Sequence, residues 1–270
     1  MDDTLYHYID PGFSHLEVHN YTLLVLINPT QFSLAVVHQH KLMVWRKPGL
    51  LSELNQPGEV QEVLNFNYQN IISGVTSSDF TLIPDALYQE ADVASIARYL
   101  DVQSQDTVFA QPLDADNRIV FKLNQTATLA AARFDLSKTI FAASGWIKAI
   151  ADTQPSGYDL YININENQAD LVYFRHGKLL LFNTFECTNA DELAYYALFV
   201  AEQLKLTPAD TNVIVNGLIS EGNAYHNRLS NFFKLAALST VQLLDMPEHL
   251  PKQELLTLSA LTLCASLADV

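Results

Sequence analysis

Three short apolar runs separated by polar turns follow one another from Tyr21 onward. TLLVLI, QFSLAVVH and KLMVWR each have the length and the β-branched content of a strand, and NPT and QH lie between them as tight turns. Pro48 and Gly49 are expected to end the third strand. A helix is predicted over 58–72, because the apolar residues of this segment fall on one helical face.

The middle of the chain mixes shorter elements. A strand is predicted at 79–84 and a helix at 92–100, followed by strands at TVFAQPL and RIVFKL. The alanine-rich segment 126–134 favours a helix, SKTIFAA a short buried strand, and the residues after it a second helix. TQPSG at 153–157 is polar and contains Pro and Gly, which makes it the best candidate for a linker. It divides the chain into predicted domains of 1–154 and 155–270.

The first pattern begins again after this linker. YDLYIN, QADLVYF and KLLLFNTF are predicted strands, with NEN and RHG as turns. Asn189 is a predicted N-cap for the amphipathic helix ADELAYYALFVAEQLKL. A strand that ends at Asn216 and Gly217, a helix over 224–237, a strand at VQLLD and a final helix complete the prediction.

The two groups of three strands align without a gap at an offset of 137 residues. Eight of the 27 aligned positions are identical between 21–47 and 158–184, where roughly two are expected from ordinary composition. The turns also coincide, and most of the remaining positions match in apolar character. The sequence therefore predicts an internal duplication, with two unrelated three-stranded meanders as the alternative.

Composition and charge exclude several classes of protein. The net charge of −15 makes nucleic acid a poor partner, because its phosphates need Lys and Arg. The N-terminus has neither the basic nor the apolar part of a signal peptide, and no apolar run reaches the length of a membrane span. Cys187 and Cys264 form no metal or disulfide framework. We expect a cytoplasmic protein with no membrane insertion.

A meander followed by a helix, a strand and further αβ elements, present twice, resembles the actin-like ATPase superfamily with its ribonuclease H-like fold. The resemblance covers the chain from about residue 20 to the end. It implies a mixed α/β protein with two βββαβα lobes that face each other across a nucleotide cleft. The segments FTLIPDALY, NENQADLV and ELAYYALFVAEQL also resemble a family known mainly from Bacteroides that has this fold and no established function.

The resemblance implies a phosphate-binding turn in each lobe, and neither turn has the expected residues. Active members have the pattern DIGGGTxD in the second lobe, where the glycines let N–H groups approach phosphate oxygens. Here the first turn is INPTQFS, in which Pro29 has no N–H to donate. Glu166 places a carboxylate where a phosphate would lie. The predicted degenerate phosphate-loop positions are Asn28, Pro29, Thr30, Asn163, Asn165, Glu166, Asn167, Gln168 and Asp170.

Other candidate sites are weaker. Asn216 and Gly217 lie where the resemblance implies an adenosine-side turn, and an ordinary strand-to-loop turn is the alternative. Asp79 and Asp85 are read as caps of strand or helix ends, with cleft carboxylates as the alternative. The turn histidines have no carboxylate or Cys spacing that would form a metal site. Three aromatic residues on the long helix are interpreted as core, with a partner-facing patch as the alternative: Tyr195, Tyr196 and Phe199.

Three functional hypotheses remain open. The first is a binding or scaffold protein without ATPase activity, with no cofactor, no metal and no catalytic residue. It would hold an unknown protein partner or small ligand in the cleft between the lobes. The second is an atypical ATPase or kinase in which Asp170 or Asp79 serves the metal. The third is an adaptor in a cytoplasmic assembly of the pilus or cell-division type.

Overall fold

The structure is a computed structural model that describes residues 6–55 and 58–267. Contacts between Cα atoms divide the chain into two compact units. The first consists of the described part of Met1–Trp146, of Leu243–Leu250 and of the described part of Thr257–Val270, and the second of Ile147–Gln242 and Pro251–Leu256. The predicted boundary of functional lobes after residue 154 stays a prediction.

Two sheets belong to the first unit. Its strands are β1 (Tyr6–Ile9), β2 (Thr22–Ile27), β3 (Gln31–His38), β4 (Lys41–Leu50), β5 (Asn70–Val75), β6 (Phe80–Pro84), β7 (Thr107–Pro112), β8 (Asn117–Leu123) and β9 (Ile140–Phe141). The larger sheet has the order β1-β4-β3-β2-β5-β9, in which β5 is parallel to β2 and β9 is parallel to β5. The antiparallel sheet β6-β8-β7 is inserted between β5 and β9.

One sheet belongs to the second unit. Its strands are β10 (Asp159–Ile164), β11 (Gln168–Arg175), β12 (Lys178–Glu186), β13 (Asn212–Gly217) and β14 (Leu235–Leu238). The order is β12-β11-β10-β13-β14, with β13 parallel to β10 and β14 parallel to β13. This order repeats that of β4-β3-β2-β5-β9 in the larger sheet of the first unit.

The α-helices of the described chain are α1 (Glu59–Leu64), α2 (Val93–Ile96), α3 (Gln125–Ala132), α4 (Ala143–Asp152), α5 (Ala190–Gln203), α6 (Ala224–Ser230) and α7 (Lys252–Ala260). Short 3₁₀ helices lie at His15–Asn20, Leu51–Asn55, Asp85–Leu87, Glu90–Asp92, Ala97–Leu100, Leu136–Lys138, Pro208–Asp210 and Leu261–Leu267. In the part of the chain that the structure describes, no helix is both long and apolar enough to cross a membrane.

The predicted duplication is confirmed by the backbone. Adding 137 to the bounds of β2 and β3 gives the bounds of β10 and β11, and adding 137 to Lys41 gives Lys178, where β12 begins. The second turn of each meander has a non-glycine residue at positive φ at the same position, Gln39 at 56° and His176 at 53°. Each meander also has a register shift at the same place, Val36/Val37 in the first and Tyr173/Phe174 in the second. Bulges are specific features, so their coincidence supports a common origin for the two meanders.

Alternation along β10 separates two faces of the second sheet. Leu160, Ile162 and Ile164 are fully buried in an apolar core that α5 completes through residues such as Leu193. Asn189 begins α5 as predicted, because its side chain accepts a hydrogen bond from the Glu192 N–H at 2.9 Å. The intervening residues of β10 therefore lie on the opposite face.

Two predicted helices are partly strands in the structure. The helix predicted over 58–72 ends at Leu64, and Asn70–Val75 pairs with β2 instead. The helix predicted over 224–237 ends at Ser230, and Leu235–Leu238 pairs with β13. In both cases a parallel neighbour that is distant in sequence supplies the hydrogen bonds and overrides local propensity.

Two predicted strands also differ from the structure. The strand predicted at VQLLD is absent, and only Asp245 forms an isolated bridge, with Lys41. Conversely, β4 continues through Pro48 and Gly49 to Leu50. Pro48 is tolerated because it lies at the irregularity between the pairs Phe32–Gly49 and Leu34–Arg46, where a missing N–H costs little.

Candidate functional site

The first-meander turn uses its own N–H groups internally. The Asn28 side-chain oxygen accepts from the N–H of Thr30 at 3.0 Å and from that of Gln31 at 2.6 Å. The Asn28 N–H donates to the Gln31 carbonyl at 2.9 Å, and Pro29 has no N–H. Every N–H of Asn28–Gln31 is thereby accounted for. This turn offers no backbone donor to a phosphate without first breaking a hydrogen bond.

The second-meander turn is held differently. The Asn165 N–H donates to the Gln168 carbonyl at 2.8 Å, which repeats the bond between Asn28 and Gln31. Glu166 and Asn167 are exposed at the tip, and the Asn167 carbonyl accepts from the Cys187 N–H at 2.9 Å. The Glu166 carboxylate therefore lies at the tip of this turn, in the sequence position where the resemblance implies a glycine.

Four polar side chains form a continuous hydrogen-bonded row across the second sheet, which we call the polar row: Asn216, Asn163, Asp170 and Thr184. The backbone register sets them side by side, since Asn163 is opposite both Asn216 and Asp170, and Asp170 is opposite Thr184. Asn216 donates to Asn163 at 2.6 Å, Asn163 donates to Asp170 at 3.0 Å, and Thr184 donates to Asp170 at 2.7 Å. By alternation this row lies on the sheet face opposite the α5 core.

Asp170 is the acceptor on which the row converges. Burial raises the pKa of its carboxyl, and hydrogen bonds from Asn163, Thr184 and Asn165 oppose that rise. The donors to this carboxylate are neutral side chains. Both oxygens of the Asp170 carboxylate accept hydrogen bonds from them. As it stands, the row can fix the ends of four strands in register, and it presents no free nucleophile.

Gly217 ends β13 in a conformation that a side chain would not tolerate. Its φ is +89°, and a Cβ there would lie 2.0 Å from the Ile164 carbonyl oxygen. The residues that follow Gly217 line a groove of about 380 Å³, together with Glu254. Glu221 is one of these residues. Burial raises the pKa of Glu254. The groove lies beyond the carboxyl ends of parallel strands, where ligands of α/β sheets commonly bind.

The remaining sequence candidates lie in ordinary surroundings. Asp79 is exposed with its carboxylate 3.8 Å from Lys122 Nζ, and Asp85 pairs with Arg118 at 2.7 Å. Within the described residues no three His, Cys, Asp or Glu side chains cluster as metal ligands would. The interpretation of α5 aromatics as core is wrong for two of them, because Tyr195 is 62% exposed and Phe199 is 43% exposed.

Sequence reasoning missed Thr184 and the pairing of Asn163 with Asn216. Thr184 lies near the end of the predicted strand KLLLFNTF with no signal of its own. The two asparagines are separated by 53 positions. The signal that could have found them is register. Asn163 and Asn216 each precede the last residue of two strands that pair in parallel.

Solved structures share this fold at low sequence identity. A protein from Bacteroides thetaiotaomicron with an actin-like ATPase fold and unknown function superposes with a TM-score of 0.74 at 18% identity, over 93% of this chain and 98% of that chain. A chain of the PilM–PilN type IV pilus biogenesis complex superposes with a TM-score of 0.63 at 14% identity, over 90% of this chain and 97% of that chain. The protein therefore has the actin-like ATPase fold, as its sequence predicted.

Comparison of sequences gives a family and no activity. No curated protein matches this chain. The family model described as "Protein of unknown function (DUF3822)" matches residues 10–235 of the 270. The chain therefore belongs to the DUF3822 family.

Proposed function

We propose that this protein is a non-hydrolysing binding or scaffold protein built on the actin-like ATPase fold. It binds a protein partner or a small ligand, and its two lobes are 1–154 and 155–270. We also propose a cytoplasmic location, with which two buried cysteines that form no disulfide, Cys187 and Cys264, are consistent.

The observation that carries this proposal is the closed first-meander turn. A phosphate loop works because its N–H groups point at the ligand, and here the Asn28 side chain holds two of them while Pro29 lacks one. Glu166 supports the same conclusion for the second turn, since a carboxylate beside a phosphate is repelled. Both oxygens of Asp170 accept hydrogen bonds from neutral side chains of neighbouring strands, which fits a structural role in the sheet.

Titration calorimetry with ATP and Mg²⁺ tests the proposal directly. We expect no binding heat from the wild-type protein and none from Glu166→Gly, because the first turn stays closed in that variant. Recovery of binding in Glu166→Gly would mean that charge repulsion alone blocks the nucleotide. Magnesium-dependent ATP binding by the wild type, with a hydrolysis rate that falls in Asp170→Ala, would overturn the proposal in favour of an atypical ATPase or kinase.

An assembly adaptor is the second candidate, and one observation favours it. A chain from a complex of type IV pilus biogenesis shares the fold over 90% of this protein. Sedimentation velocity over a wide concentration range separates two versions of the idea. A species that stays monomeric excludes a filament former and leaves an adaptor that acts through a different protein.

A further inference from the structure

Helix α5 exposes two aromatic rings that do not belong to the core of the second unit. Tyr195 is 62% exposed and Phe199 is 43% exposed, one helical turn apart, with ring centroids 6.4 Å apart and nearly parallel. Tyr196 contacts Tyr195 and stacks on Phe185 of β12, with the two ring centroids 4.7 Å apart. Tyr196 thus connects the exposed ring of Tyr195 to the sheet. We call Tyr195, Tyr196 and Phe199 the α5 aromatic face.

Carboxylates border this face at the beginning of the helix. A groove of about 500 Å³ is lined by Glu186, Thr188, Asp191, Glu192, Tyr195 and Tyr196. Its described lining thus combines three carboxylates with two phenol rings and contains neither lysine nor arginine. Rings and carboxylates together are the surroundings that a cationic side chain prefers.

Glu192 is held in place as an ionised group. Its carboxylate accepts from the Thr188 N–H at 2.7 Å and from the Thr188 hydroxyl at 3.0 Å. These hydrogen bonds hold the pKa of Glu192 below its ordinary value. Asp191 and Glu192 also stabilise the N-terminus of α5 through the helix dipole. That role explains neither Glu186, which lies at the end of β12, nor the exposed rings.

The same surface already binds one arginine of the chain itself. Arg228 of α6 places its Nε 2.7 Å from an Asp191 carboxylate oxygen. Its guanidinium lies 4.9 Å from the centroid of the Phe232 ring. One arginine therefore contacts a carboxylate and a ring together at the border of the groove. The exposed rings and the carboxylates of the groove offer the same combination to a second cation.

We propose that the α5 aromatic face and its acidic groove bind a basic, arginine-bearing segment of a protein partner. Guanidinium groups would lie over Tyr195 and Phe199 and pair with Glu186 and Glu192. The net charge of −15 would speed the encounter with such a segment. This inference rests on the proposed binding function and names the chemistry of the partner.

Fluorescence anisotropy at physiological ionic strength tests this with a dye-labelled peptide in which arginines alternate with glycine and serine. The control peptide replaces each arginine by citrulline, which keeps the shape and removes the charge. We expect the arginine peptide to bind at least about tenfold more tightly. No binding, or equal binding of the two peptides, would overturn the inference.

Matched variants separate this surface from general attraction to an acidic protein. Tyr195→Ala should weaken binding about fivefold, while Tyr158→Ala, at a tyrosine that is 63% exposed, should leave it unchanged. Glu186→Gln should weaken binding more than Glu221→Gln, which changes a carboxylate in the other groove. Equal effects within each pair would overturn the inference. The outcome is independent of ATP. Magnesium-dependent binding and hydrolysis of ATP would contradict the proposed function, whereas unchanged peptide binding in Tyr195→Ala would contradict only this surface.

Discussion

The first meander, β2 to β4, and the second meander, β10 to β12, begin their strands at equivalent positions and share a bulge and a parallel neighbour. The ends of their strands are nevertheless chemically different. Where the second has Asn163, opposite Asn216, the first has Leu26, opposite Gly74. Subtracting 137 from Asp170 gives Ser33. The polar row therefore has no counterpart in the first sheet.

The difference shows two ways to stabilise a turn that has no glycine. In the first meander the Asn28 side chain closes the turn locally, because it accepts hydrogen bonds from the N–H groups two and three positions later. In the second, Asp170 and its partners connect four strands across the sheet. The second arrangement connects the turn to the sheet. Substitutions in it are therefore expected to lower the free energy of unfolding more than substitutions in the first turn.

Gly217→Ala should have the largest effect. The added Cβ would meet the Ile164 carbonyl oxygen at 2.0 Å in a residue at φ +89°, so we expect a loss of about 3 kcal/mol in the free energy of unfolding. Urea denaturation measures it. Gly222→Ala is the matched control, because φ there is +78° with nothing within 4 Å of the new atom, and a loss of about 1 kcal/mol is expected. Equal losses would show that φ alone, and not the contact between the strand ends, demands glycine.

Asp170→Ala should have the second-largest effect on the free energy of unfolding. Asn163 and Thr184 would lose their common acceptor, which is expected to cost about 2 kcal/mol in the free energy of unfolding. Asp170→Asn should restore most of it, because its amide oxygen can accept from Asn163 and its NH₂ can donate to the Thr184 hydroxyl. Ser33→Ala, at the equivalent position of the first meander, should change the free energy by less than about 0.5 kcal/mol. A similar loss at both positions would remove the distinction between the meanders.

A smaller effect should appear as pH dependence. Burial raises the pKa of Asp170 above its ordinary 3.8, so the folded state binds this proton more tightly than the unfolded state does. The stability that Asp170 contributes is complete below the ordinary pKa and declines as the pH rises toward the folded value. The unfolding free energy of the wild type minus that of Asp170→Asn should therefore decrease as the pH rises over this interval. A difference that increases with pH would mean that the hydrogen bonds outweigh burial.

Local patterns predicted the parts of the fold whose partners are near in sequence. The strands of both meanders were predicted because each pairs with the next one along the chain, and the Asn189 cap because it acts within one helical turn. Parts of β5 and β14 were assigned to helices, because each strand is held by a parallel neighbour that sequence alone does not place beside it. LAAL in β14 has good helix formers, and only the sheet makes it a strand.

The candidate site was predictable to the same extent. The two turns and Asp170 were identified from the duplication and the resemblance. Their hydrogen bonds were not, since they depend on which residues are opposite one another across the sheet. Asn216 was expected at a nucleotide-side turn, and in the structure its side chain donates to Asn163. Whether these positions form a functional site stays a prediction.

Asn28→Ala should have the smallest effect that remains measurable. The Thr30 and Gln31 N–H groups would lose their acceptor, but both are near the surface, so a loss of about 1 kcal/mol in the free energy of unfolding is expected.

Asn165→Ala is the control in the second meander. The Asn165 side chain makes only a 3.5 Å contact with Asp170, and we expect a change within about 0.5 kcal/mol. Hydrogen exchange at Thr30 and Gln31 sharpens the comparison, because both amides should exchange faster in Asn28→Ala if its side chain protects them. Unchanged exchange would show that Asn28 does not close the first turn, and the proposal of a non-hydrolysing protein would then lose the observation that carries it.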